Sequence, residues 1–482
     1  MHARHPLLAF FAGLTPVLAA MVLLRPEAPT LPPEVEVRLL DAPRWVALVG
    51  GAEPASTQVS LAQDAELIRR SLGEEGTLLF GGGTGTLVQV RDEDATPRSD
   101  LRARLADLFD PRDRAVRYVP GPEVDGPASP PMLFAVLDTL RGGDASFTWV
   151  LAGHGEGGEA PIDSVFHLWG GEVLGVTDLA SELDALGRPA RLVVTSCFGG
   201  GFADTIFVAG ESERGLAEPH RCGVFATSYD REASGCDPDP TRARQESYAI
   251  HLWHALRGED REGHPVDLDL DGDGTVGLLE AHTHARIASR SLDVPTTTSE
   301  RWLAHAVEIV DLPEVEPDLT LPELAPERRV IEALGAALDA LDEEEARRRV
   351  DRAEHVLENE EVALAEIEAR VDSAFYPLRI ALLEVLPIAD DPWHPELDAG
   401  LVREGARLRA LLDRSEEGRA YSDAVAALGE AHARVDDARV EAAVRWRLLQ
   451  AWDTARLASA LRAHGGPTWD DFVALRRCEN GR

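Results

Sequence analysis

The sequence predicts an α/β protein: a mostly parallel sheet with helices on both faces, followed by an all-α region. Three observations predict it. From residue 44 to about 310, short apolar runs bounded by turn residues alternate with amphipathic stretches, the pattern of strands joined by helical crossovers. At about residue 310 the character changes, with Pro313, Pro317, Pro322 and Pro326 in quick succession. Beyond them the chain is rich in Ala, Glu, Leu and Arg, with apolar residues at helical spacing and few breakers.

Taken in order, WVALVG (45–50) is the first buried-strand candidate and 61–72 reads as a helix. TLLF and TLVQV flank a glycine cluster, GGGTG (81–85), which lacks the Lys-Ser/Thr of a phosphate loop and reads as a turn. Residues 101–109, 132–141 and 177–186 have helical spacing. AVRYV (115–119), FTWVLA (147–152), RLVVTS (191–196) and GVFATS (223–228) are further strands. In the all-α region 328–371 and 398–463 are helical blocks, expected to pair as an antiparallel hairpin or short coiled coil. The expected organisation is therefore 1–25, an address; 26–43, a Pro/Glu-rich linker; 44–310, the α/β domain; 311–327, a linker; and 328–475, a helical domain.

With 482 residues and 44% hydrophobic side chains the chain can bury a sizeable core. Its formal net charge is −37, and every Lys/Arg position is arginine. So acidic a surface argues against nucleic-acid binding and against attachment to anionic membranes. Residues 7–24 (LLAFFAGLTPVLAAMVLL) carry no charge, follow Arg4 and precede Arg25. They read as a signal peptide or a membrane-anchoring signal, which implies export: periplasmic, extracellular, or anchored and facing outward. Four cysteines (197, 222, 236 and 478) are too few for a disulfide scaffold, and a Cys222–Cys236 bridge is left open.

Two segments carry chemistry. FTWVLAGHGEGG runs an apolar strand into His154 and Gly155, and RLVVTSCFGGGFAD runs another into Cys197. In an open parallel sheet, ligands bind beyond the carboxyl ends of the strands. Adjacent strands would set His154 and Cys197 side by side there, and their separation of 43 residues suits one crossover. A thiolate can attack a carbonyl while a neighbouring imidazole favours the thiolate and protonates the leaving amine. The backbone N–H groups of Gly155 and Cys197 are the natural oxyanion donors.

The pairing of strand–His-Gly with a later strand–Cys resembles the caspase–legumain superfamily of cysteine peptidases over roughly residues 44–310. GVFATSYDREASGCDPDPTRARQESYAIHL (223–252) is most similar to the legumain-like branch and its bacterial relatives. The resemblance implies the caspase–hemoglobinase fold and a cysteine endopeptidase acting on protein or peptide substrates. It also implies a pocket lined by Ser228 and Ser234, with Asp230 or Glu246 as its acidic residue. CFGGG departs from the caspase pattern around the nucleophile, and the basic pocket residue of legumains has no evident match near Ser60. In legumains a C-terminal helical segment covers the active site; by that analogy the helical domain here would bind the active site or a partner. Two rivals remain: a non-catalytic, calcium-stabilised scaffold on this fold, and a transamidase of the same fold.

DLDGDGTVGLLE (269–280) fits the twelve-residue EF-hand loop. Asp269, Asp271 and Asp273 take positions 1, 3 and 5, Gly274 makes the turn, Thr275 offers its carbonyl, and Glu280 closes the loop. A lone structural Ca2+ site is expected.

Overall fold

The first half of the chain crosses back through a helix after most of its apolar runs, as the alternation requires. β1 (Trp45–Gly50) leads to α1 (Val59–Leu72), β2 (Gly76–Phe80), β3 (Leu87–Arg91), α2 (Leu101–Phe109), β4 (Val116–Pro120), α3 (Pro130–Leu140) and β5 (Phe147–Gly153). Then come β6 (Gly155–Glu156), β7 (Val165–His167), β8 (Val173–Gly175), α4 (Val176–Leu186), β9 (Ala190–Val194), β10 (Arg221–Phe225), α5 (Tyr248–Ala255), α6 (Leu278–Ala288), β11 (Thr296–Thr297) and α7 (Thr298–Ile309). The structure, a computed structural model, describes residues 39–40, 42–92, 100–109, 115–141 and 143–481. The address at 1–25 and most of the linker at 26–43 lie outside the described residues. Among the described residues no helix is long and apolar enough to cross a membrane.

The main sheet has the order β11-β10-β9-β5-β1-β2, parallel throughout except for the short edge strand β11. Successive side chains of a strand point to opposite faces, and here both faces are covered. Trp45, Ala47 and Val49 of β1 pack with Leu61, Ala65 and Ile68 of α1 and with Ala281 of α6. Val46 and Leu48 pack with α3 (Val136, Leu137) and α4 (Leu179, Leu183). Each such buried Val, Leu or Ile side chain contributes about 1.5–3 kcal/mol, and slipping a strand by one residue would exchange both cores at once. The expected α/β sheet is present with two differences. The TLVQV run forms β3, which pairs with β4 in a separate antiparallel ribbon. Residues 155–175, not read as strands, build a small three-stranded sheet, β6-β7-β8.

The C-terminal half is helical: α8 (Ala325–Leu338), α9 (Glu343–Val385), α10 (Leu397–Arg414), α11 (Glu416–His464) and α12 (Pro467–Asn480). The 328–371 block is broken where Asp339 takes a left-handed conformation (φ +52°) and Asp342 caps α9 by accepting from the N–H of Glu345. The 398–463 block is broken at Ser415, which caps α11 through the N–H of Gly418. α9 and α11 run antiparallel: Arg347 pairs with Asp453, Trp446 with Glu354, and Arg434 with Glu360.

This half does not stand apart from the sheet. All described residues belong to one compact unit. The expected linker at 311–327 is packed, with Leu324 fully buried among Trp302, Leu461 and Phe472. The far end of α9 and α10 (Leu378, Leu382, Leu408) closes on Leu101 and Leu105 of α2. A disulfide joins Cys222 on β10 to Cys478 on α12, so the bridge left open between Cys222 and Cys236 is not formed. The strand-borne cysteine meets the last helix, and Cys197 and Cys236 are free.

Candidate active site

β5 and β9 are neighbours at the centre of the sheet, paired Phe147 with Ala190 through Leu151 with Val194. That register is an offset of 43 residues, the same as the spacing of His154 and Cys197. Continued past the strand ends, it sets the two residues level at the carboxyl edge, where strands lie about 4.8 Å apart. Their backbones stay close: a Cβ added to Gly155 would fall 2.4 Å from the carbonyl oxygen of Cys197. Glycine is needed there to let the turn after Cys197 pass.

That turn is tight. Phe198, directly after Cys197, is held in the left-handed region at φ +56°, which costs a non-glycine residue about 1–3 kcal/mol. Its N–H donates to the carbonyl of Arg231 at 2.8 Å. A Cβ at Gly200 would strike the carbonyl of Thr227, and one at Gly201 the side chain of Ser164. The glycine run therefore lets the segment after the cysteine lie against the end of β10.

His154 sits half-buried. Its Nε2 is 2.8 Å from the carbonyl oxygen of Ser56 and 3.1 Å from Oε1 of Gln58. Both are acceptors, so Nε2 carries the proton and Nδ1 presents a lone pair. Burial holds the His154 imidazole below its ordinary value, against the opposing pull of the Ser56 carbonyl. Burial raises the Cys197 thiol, and the N–H of Ala233 only partly offsets it. Desolvation is the largest cause at both groups, so burial acts against the imidazolium and against the thiolate alike.

The segment 228–240 lies over this edge. The N–H of Ala233 donates to Cys197 Sγ at 3.3 Å, and the thiol faces the Ala233 carbonyl at 3.5 Å. Cys236 Sγ is 3.7 Å from His154 Nδ1. Further on, Asp237 and Ser60 bond reciprocally, the N–H of Asp237 to Ser60 Oγ at 2.8 Å and the N–H of Ser60 to the Asp237 carbonyl at 3.2 Å.

The pocket residues expected from the resemblance divide. Ser228 and Asp230 are together past β10, hydrogen-bonded at 2.6 Å, and Asp230 is exposed. Ser234 lies within the covering segment, but through its N–H, which donates to Asp293 Oδ1 at 2.6 Å. Glu246 belongs to another network: its carboxylate meets Arg261, His251 Nε2 and the N–H of Arg290. Asp230 is therefore the candidate acid with a free approach to solvent.

Sequence reasoning missed three residues. Asp293 is fully buried and accepts from the N–H groups of Ser234 and Tyr248 and from the Ser291 hydroxyl. Arg447 of α11 is fully buried and donates to the carbonyls of Asp293, Ser289 and Ser291 at 2.6–2.7 Å. Burial pushes its guanidinium down to about 10, still charged at neutral pH. The guanidinium of Arg231 lies over the ring of Trp446, 5.1 Å from its centroid. Hence α11 holds the loop 289–293, that loop holds Ser234, and the segment of Ser234 covers Cys197. Cys236 is the third omission; no local pattern distinguishes it from a core cysteine.

In the 269–280 loop, Asp269, Asp271 and Asp273 each bring a carboxylate oxygen within 4.8 Å of the others. Thr275 donates through its N–H and hydroxyl to Asp273 at 2.7 Å. Glu280 turns inward, accepting from the N–H groups of Leu270 at 2.6 Å and Gly277 at 2.8 Å. Asn480, at the end of α12, bonds to Asp271. No protein-family model matches this sequence, and no curated protein matches it.

Proposed function

We propose that this chain is a cysteine endopeptidase of the caspase–legumain type, with Cys197 as nucleophile and His154 as acid/base. The observation that supports the proposal is the β5–β9 register, whose 43-residue offset equals the spacing of His154 and Cys197 just beyond the carboxyl ends of these central parallel strands. The proton moves when substrate engages. His154 Nδ1 takes it from the Cys197 thiol, the sulfur bonds to the scissile carbonyl carbon, and the oxygen becomes an oxyanion facing the N–H groups of Gly155 and Cys197. The C–N bond then breaks, His154 returns the proton to the leaving amine, and water hydrolyses the thioester. The Ser56 carbonyl fixes the tautomer that leaves Nδ1 as the base.

Substrate enters past Ser228 and Asp230. Export is part of the same reading, supported by the Cys222–Cys478 bridge, which belongs to an oxidising compartment. The acidic loop is read as a structural Ca2+ site, supported by its three converging carboxylates.

Covalent labelling tests the proposal. The full chain is treated with a peptidyl acyloxymethyl ketone, and the adduct is mapped in the native chain, Cys197→Ala and His154→Ala. Adduct confined to Cys197, and lost in His154→Ala, is the expected result. No adduct, or one on Cys236 alone, overturns it.

A further inference from the structure

Of the four cysteines, two are closed into a disulfide and two stay free, and the free pair meets at one place. Ala233 clasps the Cys197 sulfur through its N–H and carbonyl. Two residues later Gly235, at φ +131°, turns the chain in a conformation open to glycine. Cys236 follows with its sulfur 3.7 Å from Nδ1 of His154, which follows the strand beside that of Cys197. The segment is fixed on both sides, by Arg231 on Phe198 and by Asp237 on Ser60, so this placement does not depend on a free loop. A cysteine that only filled core space would have no reason to aim its sulfur at a ring nitrogen. The two thiols are also near enough for charge on Cys197 to raise Cys236 further above its burial shift.

We propose that Cys197 and Cys236 are a peroxide-responsive pair, with Cys197 the thiol that is oxidised and Cys236 the thiol that resolves it into a reversible disulfide. The Cys197 thiol gives up its proton and its sulfur attacks the terminal oxygen of a hydroperoxide, the O–O bond breaks, and the leaving alkoxide or hydroxide takes that same proton to become alcohol or water. Cys197 is then a sulfenic acid. Cys236 gives its proton to His154 Nδ1, and the new thiolate attacks the Cys197 sulfur. The S–O bond breaks, and the departing hydroxide takes the proton back from His154 as water. One hydroperoxide and two thiols give one disulfide, one alcohol or water, and one water. Partly buried and held against His154 Nδ1, Cys236 waits on that ring for its deprotonation. The base that deprotonates it is the one the peptidase reading assigns to Cys197, so the disulfide would silence both partners and spare Cys197 from irreversible oxidation.

The test needs no turnover. The full chain, with the Cys222–Cys478 bridge intact, is exposed to hydrogen peroxide, alkylated and digested without reductant. The expected result is a Cys197–Cys236 cross-linked peptide, loss of two hydrogens in intact mass, and loss of Cys197 alkylation that dithiothreitol restores. Cys236→Ser, checked for an unchanged melting profile, should instead accumulate Cys197 carrying two or three oxygens, beyond rescue by thiols. Irreversible oxidation of Cys197 in the native chain at the rate seen in Cys236→Ser, with no cross-link, would overturn the proposal. Because the native-chain map stands alone, a variant that fails to fold leaves the test intact. A chain that cross-links but takes no peptidyl ketone would sink the peptidase reading and keep this one.

Discussion

Two cysteine pairs divide the molecule. Cys222 and Cys478 close the seam between β10 and the last helix, where the strand is fully buried and Glu479 bonds Thr298 and Ser299. Cys197 and Cys236 stand at the carboxyl edge of the same sheet as thiols, held by hydrogen bonds alone. The seam fixes a contact spanning 256 residues of chain. The edge keeps two sulfurs, an imidazole and a left-handed Phe198 together without a covalent tie. One end of the sheet is thus closed covalently and the other by hydrogen bonds, and α11 reaches the second by holding the loop that holds the covering segment.

That contrast can be broken first at the edge. Cys197→Ala should abolish labelling by the peptidyl ketone, and His154→Ala should slow it by about 10²–10⁴-fold, both read by intact mass. Retained labelling in Cys197→Ala would move the nucleophile elsewhere. Next comes the link. Arg447→Met leaves the carbonyls of Ser289, Ser291 and Asp293 without their donor and Asp293 without its nearby cation. A loss of about 3–5 kcal/mol in urea unfolding is expected, with slower Cys197 labelling even where the variant is fully folded. Labelling at the native rate would show that the covering segment does not depend on α11.

The seam should behave oppositely. Cys222→Ser with Cys478→Ser is expected to cost about 2–5 kcal/mol of stability while leaving the labelling rate of the folded protein unchanged. A labelling defect at low temperature would erase the distinction between the two ends. The edge also has a pH signature. With burial raising the Cys197 thiol and lowering the His154 imidazole, the thiolate fraction should grow by roughly tenfold per pH unit up to the raised thiol value. Iodoacetamide alkylation of Cys197 should therefore still be rising at pH 9, whereas a preformed ion pair would level off near neutrality. The smallest effect is expected at the acidic loop. Chelation should lower stability by about 1–3 kcal/mol, and Asp271→Ala should remove the difference between calcium and chelator. Identical melting of the native chain in both would dismiss the site.

Local chemistry made much of this legible in the sequence. Apolar runs ending in small residues marked β1, β5, β9 and β10, and the spacing of His154 and Cys197 already equalled the register offset of their strands. Helix breaks at Asp339 and Ser415 were not legible, because each is a single capping residue inside an otherwise helical composition. β3 and β4 have the composition of sheet strands, and only the competition for partners put them in their own ribbon. The sequence by itself determined the sheet, its two covered faces, and the two residues brought level at its edge, because these follow from periodicity and short-range turns. The tertiary structure alone decided that Cys222 meets Cys478, that Arg447 reaches the 289–293 loop, that Asp293 holds Ser234, and that Cys236 comes to His154 Nδ1. Those contacts join residues far apart in the chain, and which partner a buried sulfur or guanidinium meets is set by how the layers pack, for which a linear pattern carries no signal.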